Sequence, residues 1–524
     1  MTRTLCFALV AGLAGCGWNN LPDGRSNVLD EPLWAPNEAV ATSSGLYVRL
    51  PWSGRLIRIA PNGEVEPIDL GQGRVSRIAA APDEQTIVAF VDEYFCAPDD
   101  RQELRRVTSI TRCQDADLTV ESTIRLVRGT AAAGTQPVNG AYDAVEFSAD
   151  GRFGIAHIED FNNVTINGVV NLNGVAVLDL ERDGSEIVTV GFAPDQVLFN
   201  YDDAGLATSA VVLSRNRVAS IGLGSQPYAI TQFPLTLDPD VVRDPNGIDL
   251  TPDGRYALIS TANEADLYVI DLMDESINII DLSGEPATLQ VADDADRTVL
   301  VYDDSPVVEV MEHGFFTVDR LDLDEPMNQI TTTGGLALLW GDDDQHDLYA
   351  LDLATQQLTE YSIQNPAISL HPAPGGEFAI AMTRPESGVT SGSVDALYDA
   401  NPGMEVLDLA REESVPFLLE GRGIGVAFVA DETSLNALIL QEGIDYLQSY
   451  DLLTGALAQI DLSAPPVTIG SLPDASLFWI THNNALGLVS FFNPQSGELI
   501  EVSGFAATGL LDPIQFAEAP EVQR

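Results

Sequence analysis

"GIDLTPDGRYALISTANEADLYVIDLMDESINIIDL", from Gly247 to Leu282, sets out short apolar runs separated by turn residues. Pro252-Asp253-Gly254 is a tight-turn signal, because proline presets one dihedral and glycine accepts positive φ. The runs around it, rich in Ile, Val, Leu and Tyr, have the composition of strands. Ile270-Asp271-Leu272 ends the third run. Its aspartate is read as a cap that accepts backbone N–H groups of the turn that follows.

The same pattern recurs along the chain. Related turns stand at Pro82-Asp83-Glu84, Ala149-Asp150-Gly151, Gly375-Gly376 and Pro473-Asp474-Ala475 among others, mostly roughly 40–55 residues apart. The third-run ending returns as Leu178-Asp179-Leu180, Leu351-Asp352-Leu353, Leu407-Asp408-Leu409 and Tyr450-Asp451-Leu452. Four strands in each such interval is the period of a β-propeller. Nine repeats follow a first one around Ser44 to Leu70. The expected fold is therefore all-β: a β-propeller of four-stranded blades, one ring of 7–10 blades over residues 37–516. Gly504 to Phe516 would close the ring against Asn37 to Leu50, and residues 517–524 would form a tail. Polar, loop-like insertions are expected near 94–140 and 385–403. Asp451-Leu452-Leu453-Thr454-Gly455 and "LYALDLATQQ" (Leu348 to Gln357) resemble the strand-and-turn endings of YVTN-type, WD-repeat and quinoprotein-like propellers. That resemblance implies an architecture and leaves the activity open.

Charge narrows the chemistry. The chain has 25 basic and 79 acidic residues, a formal net charge of −54, and every basic residue is arginine. Without lysine there is no Schiff base, no lysine general base and no P-loop lysine. A field of this sign repels nucleic acid and anionic headgroups, so nucleic acid is not an expected partner. A protein partner or a cationic ligand is.

The first residues carry an address. Met1-Thr2-Arg3-Thr4 supplies one positive charge, and "FALVAGLAGC" (Phe7 to Cys16) is too short to span a bilayer. Leu13-Ala14-Gly15-Cys16 resembles the lipobox of bacterial lipoproteins. The resemblance implies a signal peptide over 1–15, lipid on Cys16 and a tether over 16–36. It further implies a lipid-anchored protein of the bacterial cell envelope, and Gly17 points to the outer membrane. In an oxidising compartment Cys96 and Cys113 are expected to pair as a disulfide, with a reactive thiol pair as the alternative.

The loop between second and third strands opens on the ligand-binding mouth in propellers of this kind. Counting past each turn places Asp92, Glu93, Glu159, Asp160, Glu264, Asp303, Asp304 and Glu442 there as a candidate binding face. Asp342, Asp343 and Asp344 in "GDDDQHD" are the candidate metal ligands, and Ca²⁺ is the cofactor they suit, although the spacing is not that of an EF-hand. Three readings remain open: acids spread over an acidic surface, a cation site, or a docking face for a basic segment. The five histidines are scattered over different repeats, and neither HExxH nor GxSxG occurs. The leading expectation is a binding or assembly scaffold. The alternative is a propeller hydrolase or lactonase that uses a divalent metal at the acidic mouth.

Overall fold

The second strand of the quoted repeat, Tyr256–Thr261, is buried almost throughout, whereas the fourth, Ser276–Asp281, is almost wholly exposed. Middle strands have a neighbouring blade on each face and so read as continuous apolar runs; outer strands have one side in water. This gradient repeats around the molecule. In the computed structural model the described residues are 34–509, apart from 51–53, 72, 97–104, 108–118, 139–141, 160–172, 192, 203, 215–216, 237–242, 244, 293–294, 342–343, 387–392, 432 and 474.

Nine sheets have four antiparallel strands in sequence order, and a tenth has five. The blades span Val40–Asp69, Arg74–Val138, Ala144–Thr189, Pro194–Pro234, Pro245–Asp281, Thr288–Asp322, Gln329–Ser362, Ala367–Leu418, Gly423–Asp461 and Pro466–Ser503, and are numbered 1 to 10 below. Ten separate apolar cores accompany them, one at each junction between neighbours. Leu258 and Val269 of blade 5, for example, meet Leu300 and Met311 of blade 6. The tenth core joins blade 10 to blade 1 through Val489 and Phe491 against Leu46 and Val48, which closes the ring. The protein is a ten-bladed β-propeller, at the upper end of the expected range.

The turn chemistry agrees with the sequence pattern. Gly254 has φ +65°, and its amide donates to Thr251 O at 2.8 Å. Asp271 accepts the amides of Met273 and Asp274 at 3.0 and 2.9 Å, and Asp352 those of Ala354 and Thr355 at 2.9 and 2.8 Å. The aspartates are turn caps.

Two stretches differ from the sequence reading. Residues 94–140 are not simply a polar insertion: Thr119–Arg128 and Ala131–Val138 are the third and fourth strands of blade 2, and Arg105–Val107 is an added strand paired with Thr86–Cys96. Their weak polar–apolar contrast hid them. The stretch near 385–403 holds a short helix, Val394–Asp399, capped by Ser393. Closure also begins earlier than expected, since Trp34 and Ala35 are buried. Among the described residues each blade is contiguous in sequence, and packing closes the ring without an exchanged strand.

Side chains bind successive blades along the channel wall. Arg49 of blade 1 donates to Val75 O of blade 2 at 3.0 Å, and Gln196 of blade 4 to Ile248 O of blade 5 at 3.4 Å. Asp249 of blade 5 accepts the Val291 amide of blade 6 at 2.6 Å. Thr468 and Thr481 of blade 10 reach Pro36 O, just ahead of blade 1, at 3.0 and 2.7 Å. Groups on inner-strand backbone are thereby satisfied from the preceding blade.

Candidate functional site

Antiparallel four-stranded blades place every second-to-third loop on one end of the ring, together with the connectors between blades. Turns after first and third strands lie on the opposite end. The expected binding residues follow or end second strands, but their environments differ.

Asp303 and Asp304 lie exposed in the loop between Arg297–Val301 and Val307–Glu312, and Glu442 lies exposed after Leu435–Gln441. Glu159 is 66% exposed and pairs with Arg77 at 3.3 Å. Glu264 is already engaged: Arg243 forms an ion pair with it, and Thr261 and Tyr268 donate to it at 2.7 and 3.1 Å. Asp92 and Glu93 fall inside the strand Thr86–Cys96 rather than in its loop. Asp92 is buried and accepts the Ser122 hydroxyl, and burial raises its pKa despite that bond. Asp160, Asp342 and Asp343 lie outside the described residues, as do Cys16 and Cys113; Cys96 ends a strand, and its side chain is likewise outside them.

Asp344, at 91% exposure, pairs with Arg384 at 2.7 Å. Beside it His346 Nε2 lies 2.6 Å from Glu386. Both contacts tie blade 7 to the loop of blade 8. Among the described residues no three His, Cys, Asp or Glu side chains are grouped to hold a metal ion.

The acids of the two ends are used differently in part. On the opposite end the turn aspartates accept backbone amides, although Glu275, Glu312 and Glu412 are exposed there. Asp431 there accepts the Ser434 hydroxyl and the Thr433 amide, which pull its pKa down to about 2. On the loop end of blades 5 to 7, Glu285, Asp303, Asp304, Asp324 and Glu325 are all exposed. None of these carboxylates caps a turn or faces an arginine among the described residues. The arginines of this sector are occupied, Arg243 by Glu264 and Arg320 by Glu309. The result is an uncompensated acidic arc over the loop of blade 6 and the connectors on either side of it.

A second group, without a sequence signal, sits where blades 2 and 3 meet the channel. Arg77 donates to Asp143 O, and the Glu159 amide donates to Asp143 Oδ1 at 2.7 Å. His157 is buried with Nδ1 lacking a partner among the described residues, and burial lowers its pKa. Burial, then the charge of Glu159, raises Glu146. A channel cavity of about 480 Å³ adjoins Arg77 and Val145 and is walled by Trp479. That ring lies over Gly470, where a Cβ would approach it to 2.5 Å, so only glycine fits.

The fold and the arc define a propeller with a charged mouth. No family model matches the chain, and no curated protein matches it. Among solved structures, the chain is similar to a dihydro-heme d1 dehydrogenase, NirN, at 12% identity and TM-score 0.40, over 64% of this chain and 72% of that one. It is similar to a eukaryotic initiation factor at 9% identity and TM-score 0.46, over 73% and 87%. Hydrazine synthase of Kuenenia stuttgartiensis gives 11% identity and TM-score 0.33, over 58% and 94%. Likeness this slight says nothing about ligand or reaction; the propeller assignment rests on the chain's own ten sheets.

Proposed function

We propose that the protein is a lipid-anchored envelope propeller that serves as a docking platform, and that the acidic arc around blade 6 receives a cationic segment of a protein partner. The carrying observation is the group of exposed carboxylates, Glu285, Asp303, Asp304, Asp324 and Glu325, with no arginine facing them among the described residues. Clustered like charge accelerates encounter with an opposite partner and weakens with salt. The absence of lysine leaves the arc without the flexible cations that commonly neutralise such surfaces.

The anchor is carried by Leu13-Ala14-Gly15-Cys16. Acyl chains contribute on the order of 0.8 kcal/mol for each buried CH₂, enough for stable attachment when there are several. Fractionation of a Cys16→Ser variant tests it: the protein should leave the membrane fraction, and retention there contradicts the anchor. Mass analysis without reductant tests the Cys96–Cys113 pairing, and two free thiols contradict it. For docking, partner capture by the wild type is compared with capture by an Asp303→Asn, Asp304→Asn, Glu325→Gln variant. Unchanged capture contradicts the arc as the surface. The hydrolase or lactonase reading predicts instead that Ca²⁺ raises, and EDTA lowers, the thermal midpoint through the acidic mouth.

A further inference from the structure

Two glutamates occupy equivalent positions in different blades. Glu309 is the third residue of the third strand of blade 6, Val307–Glu312; Glu405 is the third residue of the third strand of blade 8, Gly403–Asp408. They are 2% and 1% exposed. Each carboxylate reaches the connector arriving from the preceding blade. The Ser283 amide lies 3.4 Å from Glu309 Oε2, and the Gln364 amide donates to Glu405 Oε1 at 2.7 Å.

Their counter-charges differ. Opposite Glu309 in register stands Arg320, with Nη2 3.1 Å from Oε1, and the hydroxyls of Ser283 and Tyr302 complete the set. Opposite Glu405 stands Pro416, which brings neither charge nor donor. Among the described residues Glu405 Oε2 is buried without a hydrogen-bond partner, and so is Oδ1 of Asn365, the neighbour of Gln364. Asn365 cannot relieve this by turning over its amide. Its Nδ2 already donates to Tyr398 O at 2.7 Å and Asn401 O at 3.3 Å, which fixes Oδ1 as an acceptor. Two acceptor oxygens are therefore buried beside the same connector, one of them from a carboxylate, and neither has a donor among the described residues. An uncompensated buried charge costs several kcal/mol. Burial accordingly pushes the Glu405 carboxyl up to about 7.

We propose that Glu405 and Asn365 form the core of a site for a monovalent alkali cation, Na⁺ or K⁺, held between the blade 7–8 connector and the residues following the short helix. The ion takes the role that the Arg320 guanidinium has beside Glu309. One carboxylate and neutral oxygens balance a single charge, whereas a divalent ion would leave net positive charge in a buried place. Asp399, which accepts from the Gln364 side-chain amide at 3.5 Å, is partly exposed, so water screens its charge and Glu405 is the buried carboxylate to be balanced.

The test is the thermal midpoint of the full chain at pH 8.5 in NaCl, KCl or choline chloride of equal ionic strength. Na⁺ or K⁺ should raise the midpoint above choline by about 2 °C, as expected for an ion that binds only the folded state. Glu405→Gln should abolish that difference. Pro416→Arg, which places a guanidinium opposite Glu405, should abolish it while keeping the midpoint in choline at or above that of the wild type. Equal midpoints in all three salts for the wild type overturn the site. A response to CaCl₂ alone overturns the monovalent assignment. Should Glu405→Gln not fold, an undiminished alkali response in Pro416→Arg overturns the proposal by itself.

Discussion

The indole Nε1 of Trp34 donates to the carbonyl of Asn484 at 2.7 Å, joining positions 450 residues apart at the seam of the ring. The same indole meets Phe505 edge-on, with ring centroids 5.1 Å apart. Among the described residues no strand is shared across this seam, so closure rests there on packing and hydrogen bonds from both ends of the ring. In a ring of repeats stability is roughly a sum over neighbour interfaces, and the seam joins repeats farthest apart in sequence.

Trp34→Ala should therefore cost about 3–5 kcal/mol, the range for a large aromatic removed from a core. Trp34→Phe, which keeps much of the apolar volume but loses the hydrogen bond, should cost about 1–2 kcal/mol. Urea unfolding followed by intrinsic fluorescence measures both. Equal, small losses would mean that the seam is held elsewhere.

Blade turns carry a second signature. Four residues after the capping position, Glu275, Gln356 and Glu412 have φ of 52°, 57° and 56°, where blades 9 and 10 use Gly455 and Gly497. A side chain pays for left-handed backbone that glycine adopts freely, against glycine's larger loss of freedom on folding. Glu275→Gly and Glu412→Gly should each stabilise by about 0.5 kcal/mol, and Gly455→Ala should destabilise by about 1 kcal/mol. Shifts of the urea midpoint in the opposite directions would contradict this.

Between blades 7 and 8, His346 has Nε2 2.6 Å from Glu386 and Nδ1 3.4 Å from Ile363 O. Burial alone would depress its pKa; the hydrogen bond to Glu386 and that carboxylate's charge reverse this and raise it. The imidazolium form is thus favoured in the fold. Its stabilisation is fully present below the unfolded pKa of about 6.5 and is lost as pH rises through the higher folded value. Because the pair is partly exposed, the effect should be only about 0.5 kcal/mol. The wild type should exceed His346→Gln in stability at pH 5.5 and match it at pH 9; a constant difference across that window would exclude the linkage.

Much of this architecture is legible in sequence because it is local. Pro252-Asp253-Gly254 and the Asp271 cap each act within a few residues, and middle strands announce themselves as unbroken apolar runs. The third and fourth strands of blade 2 are less legible, since Ala131–Val138 lacks the apolar contrast of a strand buried on both faces. Trp34 was hidden for another reason: its partners come from the far end of the chain. The exposed positions of Asp303, Asp304 and Glu442 follow from counting along repeats. Counting cannot find the arginines that occupy Glu264 and Asp344, because Arg243 and Arg384 come from neighbouring connections. Nor can it separate Glu309 from Glu405, whose difference lies in the residue paired across the sheet.

The most direct test of docking on the acidic arc is photo-crosslinking in the cell that makes the protein, because amine-reactive reagents find no lysine. A photoreactive residue at Asp304 is compared with one at Asp274, an exposed acid on the opposite end of the ring. The expected result is a discrete protein adduct from position 304 that fades at high salt, with none from position 274. No adduct from 304, or equal adducts from both ends, would contradict the arc as a docking surface.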